Sequence, residues 1–354
     1  MAASTRMRRA GARLAVDLTA LSVIGVLLVA ALGAGAAVLY REFYSPSAFV
    51  MRYLSLLESG RAADALALPG VALDSADLSA AGMPETASDV LLRSAALTSL
   101  TDARVVSEEQ DGVDTVVTAA YTAGGHDGTT TFRVRDNGVI GIAPTWRFSR
   151  SPLSVMNLMV LGSMSFTIND FVLDKRQVAP EGLEVDPVAP LPMLVFSPGL
   201  YSISVDTPLA TTPGLAVLAD APMVNVPVQL QAQPTEEFVA VVQERVEEFL
   251  TGCTAQQVLQ PTGCPFGYVV RNRVEELPTW SITQQPQVQV EPDGAGWRIP
   301  DAQATAHIDL EIRSLFDGSL REVSEDVPFV LNGTIDILPD GTASIRLGGY
   351  DRTG

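Results

Sequence analysis

Residues 18–40 form one apolar run without a charge. At about 1.5 Å per residue, a helix of that length spans on the order of 34 Å, enough for a bilayer core. Beyond it the spacing turns helical: Phe49, Val50, Tyr53, Leu54, Leu56 and Leu57 make an apolar stripe, opened by Ser45 and Pro46 as cap and first turn. Gly60 breaks this helix, and the pattern predicts short helices over 62–68 and 86–97. Alternation then predicts strands over 98–106, 114–122, 129–135 and 139–148. The intervening turn signals are Gln110-Asp111-Gly112, Gly124-Gly125, Asp127-Gly128 and Asp136-Asn137-Gly138.

Proline-rich sequence with little helical signal follows, with short strands predicted over 164–171, 191–196, 201–205 and 224–231. Ser197-Pro198-Gly199 joins two of them. After Pro234 a second amphipathic helix is predicted from Phe238, Val241, Val242, Val246, Phe249 and Leu250. Strands return over 279–290, 302–315, 321–331 and 334–347. Their turns are assigned to Asp293-Gly294, Asp317-Gly318, Asn332-Gly333 and Asp340-Gly341.

The order of elements predicts an α+β chain: a stub (1–17), a transmembrane helix (18–40), an α+β domain (45–150), a small β-sandwich (151–233) and a second α+β domain (234–350). The two helix-then-strand blocks read as copies. Leu57 to Gly60, Ala63, Leu66 and Pro69 align without a gap on Phe249 to Gly252, Ala255, Val258 and Pro261, 192 residues on.

Charge sets the orientation. Arg6, Arg8, Arg9 and Arg13 precede the apolar run and no similar cluster follows it, which places the N-terminus in the cytoplasm and the bulk outside. Ala34-Gly35-Ala36 also fits a signal-peptide cleavage site, a reading that sends the same bulk outside. The chain carries a net charge of −18, a balance that argues against nucleic acid as a partner. In an oxidising compartment, Cys253 and Cys264 are expected to pair as a disulfide rather than remain free thiols.

Both helix-then-strand blocks resemble the cystatin-like (nuclear-transport-factor-like) α+β cone. That resemblance implies helices packed on a strongly curved antiparallel sheet around a pocket. With the Pro198-Gly199-Leu200-Tyr201 turn between the blocks, the whole order resembles a group of actinobacterial membrane-anchored envelope proteins. It is more distantly similar to the teicoplanin-resistance-associated (TcaA-type) membrane proteins of Gram-positive bacteria. No cysteine precedes the apolar run, so the zinc ribbon common in that last group is missing here.

Candidate chemistry is sparse. His307 and Asp309 share one strand face and Trp280 lies in the predicted strand over 279–290; these three are the pocket candidates. His126 falls in a hairpin turn, and Lys175, the only lysine, reads as a solvated loop residue. No phosphate loop, metal-ligand spacing or nucleophile elbow is present, so no catalytic residue, metal or cofactor is expected. The sequence therefore predicts a non-enzymatic, membrane-anchored binding or assembly protein of the cell envelope. Its expected partners are the cell membrane and an envelope protein or cell-wall component. The alternative is an envelope sensor or regulator that holds a small ligand or cell-wall fragment in a cone pocket.

Overall fold

The computed structural model describes residues 21–31, 33, 42–98, 100–141, 143–338 and 342–349. The fold is α+β, mostly sheet with few helices. Residues 21–31 and 33 of the apolar run are helical, and the rest of the run lies outside the described residues. Among the described residues, no helix is long and apolar enough to cross a membrane. The chain divides into two compact units, Met1–Leu73 with Ser99–Pro152, and Asp74–Thr98 with Leu153–Gly354. The segments assigned from sequence to a β-sandwich and to a second α+β domain fall together in the second unit.

In the first unit, helix α1 (Pro46–Glu58) starts where Ser45 accepts a hydrogen bond from the Ala48 N–H. A short α2 (Ala62–Leu66) follows. Between them Gly60 takes φ +69°, a left-handed backbone that ends the first helix. A four-stranded antiparallel sheet comes next, in the order β1 (Leu100–Asp111), β2 (Asp114–Ala123), β3 (His126–Ile140), β4 (Ala143–Arg150). The helix buries Phe49 and Tyr53 against Phe132 and Phe148, with ring centroids 5.0–6.0 Å apart.

Two expected turns are strand interior instead. Asp127-Gly128 and Asp136-Asn137-Gly138 both lie within β3. The second interrupts the register with β4 between Asp136 and Val139, and Gly138 (φ +89°) donates its N–H to Asp136 Oδ1. The Asp-Asn-Gly chemistry therefore makes a bulge rather than a reversal. Gly124-Gly125, both with positive φ, form the real two-residue hairpin turn.

The second unit begins with α3 (Ser75–Ala80), closed by a capping box between Asp74 and Asp77. The helix expected over 86–97 does not form. Ser88 instead exchanges backbone hydrogen bonds with Pro192 and Leu194, leaving a single 3-10 turn at Ser94–Ala96. Leu91 and Ala96 bury into this unit's core, and that extended pairing overrides local helical preference.

A three-stranded sheet, in the order β12 (Asn225–Gln231), β5 (Leu153–Leu161), β8 (Leu191–Phe196), shares one core with a four-stranded sheet. The latter runs β11 (Leu215–Ala219), β9 (Gly199–Ser204), β6 (Ser165–Ile168), β7 (Phe171–Asp174). The Ser197-Pro198-Gly199 turn, with a cis Ser197-Pro198 bond, carries the chain from one sheet to the other. A one-turn helix, α4 (Lys175–Val178), follows β7. Short strands β10 (Ala210–Thr211) and β13 (Gln233–Pro234) pair antiparallel with each other.

The long helix α5 (Glu236–Thr254) is capped by Thr235 and buries Phe238, Val242, Val246, Leu250 and Cys253. It leads into a six-stranded antiparallel sheet of β14 (Arg273–Val274), β15 (Thr279–Gln284), β16 (Glu291–Asp293), β17 (Gly296–Arg313), β18 (Leu320–Ile337) and β19 (Ala343–Gly349). Strands β17 and β18 are each 18 residues long. Asn332-Gly333, expected as a turn, is therefore strand interior. A side chain at Gly333 would meet Arg346 O at 2.6 Å, so glycine there serves close strand approach. Asp340 and Gly341 lie outside the described residues.

Cys253, at the end of α5, and Cys264 form a disulfide, with Cα atoms 5.9 Å apart. The sequence repeat has a partial structural counterpart, since each block is a helix followed by an antiparallel sheet. At the same offset Val50 and Val242 match, as do Leu54 and Val246, all fully buried. The match breaks at Gly252, which lies inside α5 where its counterpart Gly60 ends a helix.

Candidate functional site

Alternation along the sheet separates the three candidate residues. Thr279, Trp280 and Ser281 pair with Asp309, Ile308 and His307, so Trp280 points to the side of Ile308 while His307 and Asp309 point the other way. Trp280 is buried; its indole N–H donates to Val258 O at 2.8 Å, and its ring packs 4.9 Å from Phe266 beside the disulfide-closed segment. It is a core residue of the second unit.

His307 lies on the outer face. Its Nδ1 is 2.7 Å from Asp326 Oδ1, its Nε2 is 2.9 Å from Ser324 Oγ, and Asp309 Oδ1 is 3.4 Å from the same Nε2. Asp326 and Ser324 sit directly across the ladder from His307 and Asp309. The Asp326 carboxylate holds the imidazole pKa above its usual value, with Asp309 adding to it. A hydroxyl and two carboxylates thus bracket one imidazole on an open sheet face. Both carboxylates are more than half exposed, which is the environment of a surface ion-pair cluster.

Lys175 is not in a solvated loop. It is 1% exposed, and its ammonium donates to Val160 O and Pro187 O. Burial lowers its pKa to about 8, with Asp186 and Asp174 opposing that shift. Both donated bonds go to backbone carbonyls, so the side chain ties the 186–187 loop to β5. The sequence signal for this was faint: a lone lysine in a chain otherwise using arginine.

The second unit holds a largely apolar cavity of about 690 Å³. That volume is within the range of small-ligand pockets. One wall is the face of α5 carrying Glu237, Phe238, Val241 and Arg245; a second is the far end of β18 and β19, with Ile337, Ala343 and Ile345. Met164 and Leu209 close the remaining side.

The helical period explains the first wall. Positions 237, 241 and 245 lie one turn apart on the flank of the buried stripe, so Val241 is an apolar residue beyond what the core uses and stays 47% exposed. Behind the wall, the Phe238 ring packs 4.9 Å from that of Trp297. Gly162 lines the cavity with φ +81°, and a side chain there would meet Trp297 Nε1 at 3.0 Å. Glycine therefore lets the wall close over the indole. Glu237 and Arg245 are the charged groups of the lining. The sequence pattern placed Val241 on an apolar helix face, but did not show that the face lies open.

Among the described residues, no group of His, Cys, Asp and Glu is arranged to hold a metal ion. No protein-family model, no curated protein and no solved structure matches this chain.

Proposed function

We propose that this chain is a non-enzymatic binding protein of the bacterial cell envelope, anchored by its N-terminal apolar run with the bulk outside the cytoplasm. Its working site is the cavity flanked by α5 and the β18–β19 end, which receives an apolar group. The cavity carries this reading: it is apolar on several sides and open to solvent, and Val241 is left over from the core stripe. The charge-free run and the four arginines before it support the anchoring. A helix followed by an antiparallel sheet in each unit supports the cone-like reading of both blocks. The surface character of the His307 cluster and the backbone partners of Lys175 support a role without chemistry.

Each methylene buried in such a site contributes about 0.8 kcal/mol, so a modest apolar group suffices for binding. The test is titration of the full chain in nanodiscs with the apolar fluorophore N-phenyl-1-naphthylamine, alongside a Val241→Arg variant and empty discs. The expected result is saturable binding above the empty-disc signal, weakened about tenfold or more by the charge placed in the cavity. Equal signals from the two proteins would refute the site.

A further inference from the structure

The exposed large apolar residues of the first unit gather at one end. Beyond the apolar run they are, among the described residues, Phe43, Tyr44, Val106, Val113, Val139 and Ile140. Hydrogen bonds and register fix where they lie. Helix α1 starts with the Ser47 N–H on Glu108 Oε2 at 3.2 Å and finishes with Glu58 Oε1 accepting from the Ala103 N–H at 3.2 Å. Its start is therefore level with the β1–β2 turn, and its end with the beginning of β1. Asp114 pairs with Arg135 beside that same turn, and β3 runs on past it to Ile140 before β4 returns. All of these residues but Val106 thus lie at the end where the chain enters α1. The β3–β4 tip is braced by Thr145 Oγ1 donating to Gly138 O at 3.0 Å, yet Val139 is 69% and Ile140 76% exposed.

We propose that the first unit stands end-on against the bilayer that anchors the chain, with Val139 and Ile140 of the β3–β4 tip buried in its outer interface beside Phe43 and Tyr44. This rests on the preceding reading that the N-terminal apolar run is the anchor. The chain itself brings the two together. Tyr44 follows Tyr40, the last residue of the charge-free run, by four positions, which span about 14 Å at most. The Trp146 indole N–H then donates to Tyr44 O at 2.8 Å, tying β4 to the point where the chain leaves the run. At about 3.3 Å per residue, Ala143 at the tip is on the order of 10 Å along the strand from Trp146. An organised hairpin thus holds two large apolar side chains in water within reach of the membrane surface.

The residue types suit that interface. Tyr44 and Trp146 are amphipathic rings of the kind that settle at headgroup level, and the aliphatic tip reaches past them. The charges indicate which lipid is needed. Arg133 and Arg135 are bonded to Asp111 and Asp114, while Glu108, Glu109 and Asp136 outnumber Arg147. This end is therefore not basic, and the contact draws on apolar burial rather than on anionic headgroups. Two aliphatic side chains bind a membrane weakly by themselves. Tethering by the run raises their local concentration at the surface and makes the contact effective.

The experiment uses the full chain in phosphatidylcholine vesicles, with or without lipid spin-labelled high in its acyl chain. The native Cys253 and Cys264 are already paired, so an added Ile140→Cys alone takes a nitrobenzoxadiazole label. The control carries the label at His126→Cys, exposed at the β2–β3 turn on the opposite end of the unit. A tip held about 5–10 Å deep, the depth of interfacial apolar groups, sits level with the spin label, so its emission is expected to fall by about half or more. The control label should keep its emission, and Val139→Asp beside the tip label should relieve the quenching. Equal emission changes at the two positions overturn the proposal, as does quenching that Val139→Asp leaves intact, which would assign the insertion to the dye. If the chain fails to float with the vesicles, the anchoring reading falls and this contact with it. If it floats while the tip label stays bright, the anchoring stands and only the end-on contact falls.

Discussion

Lys175 and His307 are the two side chains whose protonation the fold changes in an instructive way. Burial lowers the Lys175 pKa to about 8, so between pH 8 and the ordinary lysine value the unfolded chain binds more protons than the folded one. Stability from this group therefore rises as pH increases through that window. Tyr201, whose buried phenol is raised, pulls the other way at higher pH. Denaturant unfolding of the wild type is expected to strengthen from pH 8 to 9.5, and a Lys175→Met variant should lack that component. At pH 7 the same variant leaves Val160 O and Pro187 O without their ammonium donor and should cost about 1–3 kcal/mol. For His307 the sign is opposite. Its raised pKa makes its contribution present below the ordinary histidine value and lost as pH rises through the folded one. An NMR titration should place the ring above its usual midpoint, and Asp326→Asn should bring it down. An unchanged midpoint would remove Asp326 as the cause.

At the scale of elements, α5 separates two kinds of apolar residue. Leu250 belongs to the buried stripe, so Leu250→Ala should destabilise by about 2–5 kcal/mol. Val241 faces the cavity, and Val241→Ala should stay within about 0.5 kcal/mol while weakening fluorophore binding. Chemical denaturation and probe titration on the same preparations distinguish the two roles. The helix end is also held covalently. Replacing Cys253 and Cys264 together by serine should cost about 2–3 kcal/mol through loop-closure entropy. Helices and strands with strong periodicity were legible in the sequence, including α1, α5, β2 and β8. Turn dipeptides were less faithful, because Asp-Gly and Asn-Gly also serve bulges and close strand approach, as at Gly138 and Gly333.

For the whole molecule, two units with separate cores predict two unfolding events. Calorimetry of the full chain should show one transition lowered by Phe148→Ala, which opens the aromatic cluster of the first unit. The serine replacement of the disulfide should lower the other. A single transition shifted by both variants would show that the units unfold as one. The segment Asp74–Thr98 adds a connection that sequence order hides. It lies between helices and strands of the first unit along the chain, yet its backbone pairs with β8 in the second.

What the sequence alone determined is whatever depends on neighbours along the chain. That covers the charge-free run and its flanking arginines, the amphipathic period of the main helices, the alternation of the strands and the mixed α+β character. It also covers the opposite facing of His307 and Ile308, since strand side chains alternate with period two. What only the tertiary structure decided depends on partners far apart in the chain. Pairing of Ser88 with β8 cancelled a helix, and carbonyls of Val160 and Pro187 drew the lone lysine inside. Helix α5 and the β18–β19 end met around a cavity that no local pattern marks. Burial and cavities are properties of packing between distant segments, so residue spacing can show which faces are apolar but not which of them the fold leaves open.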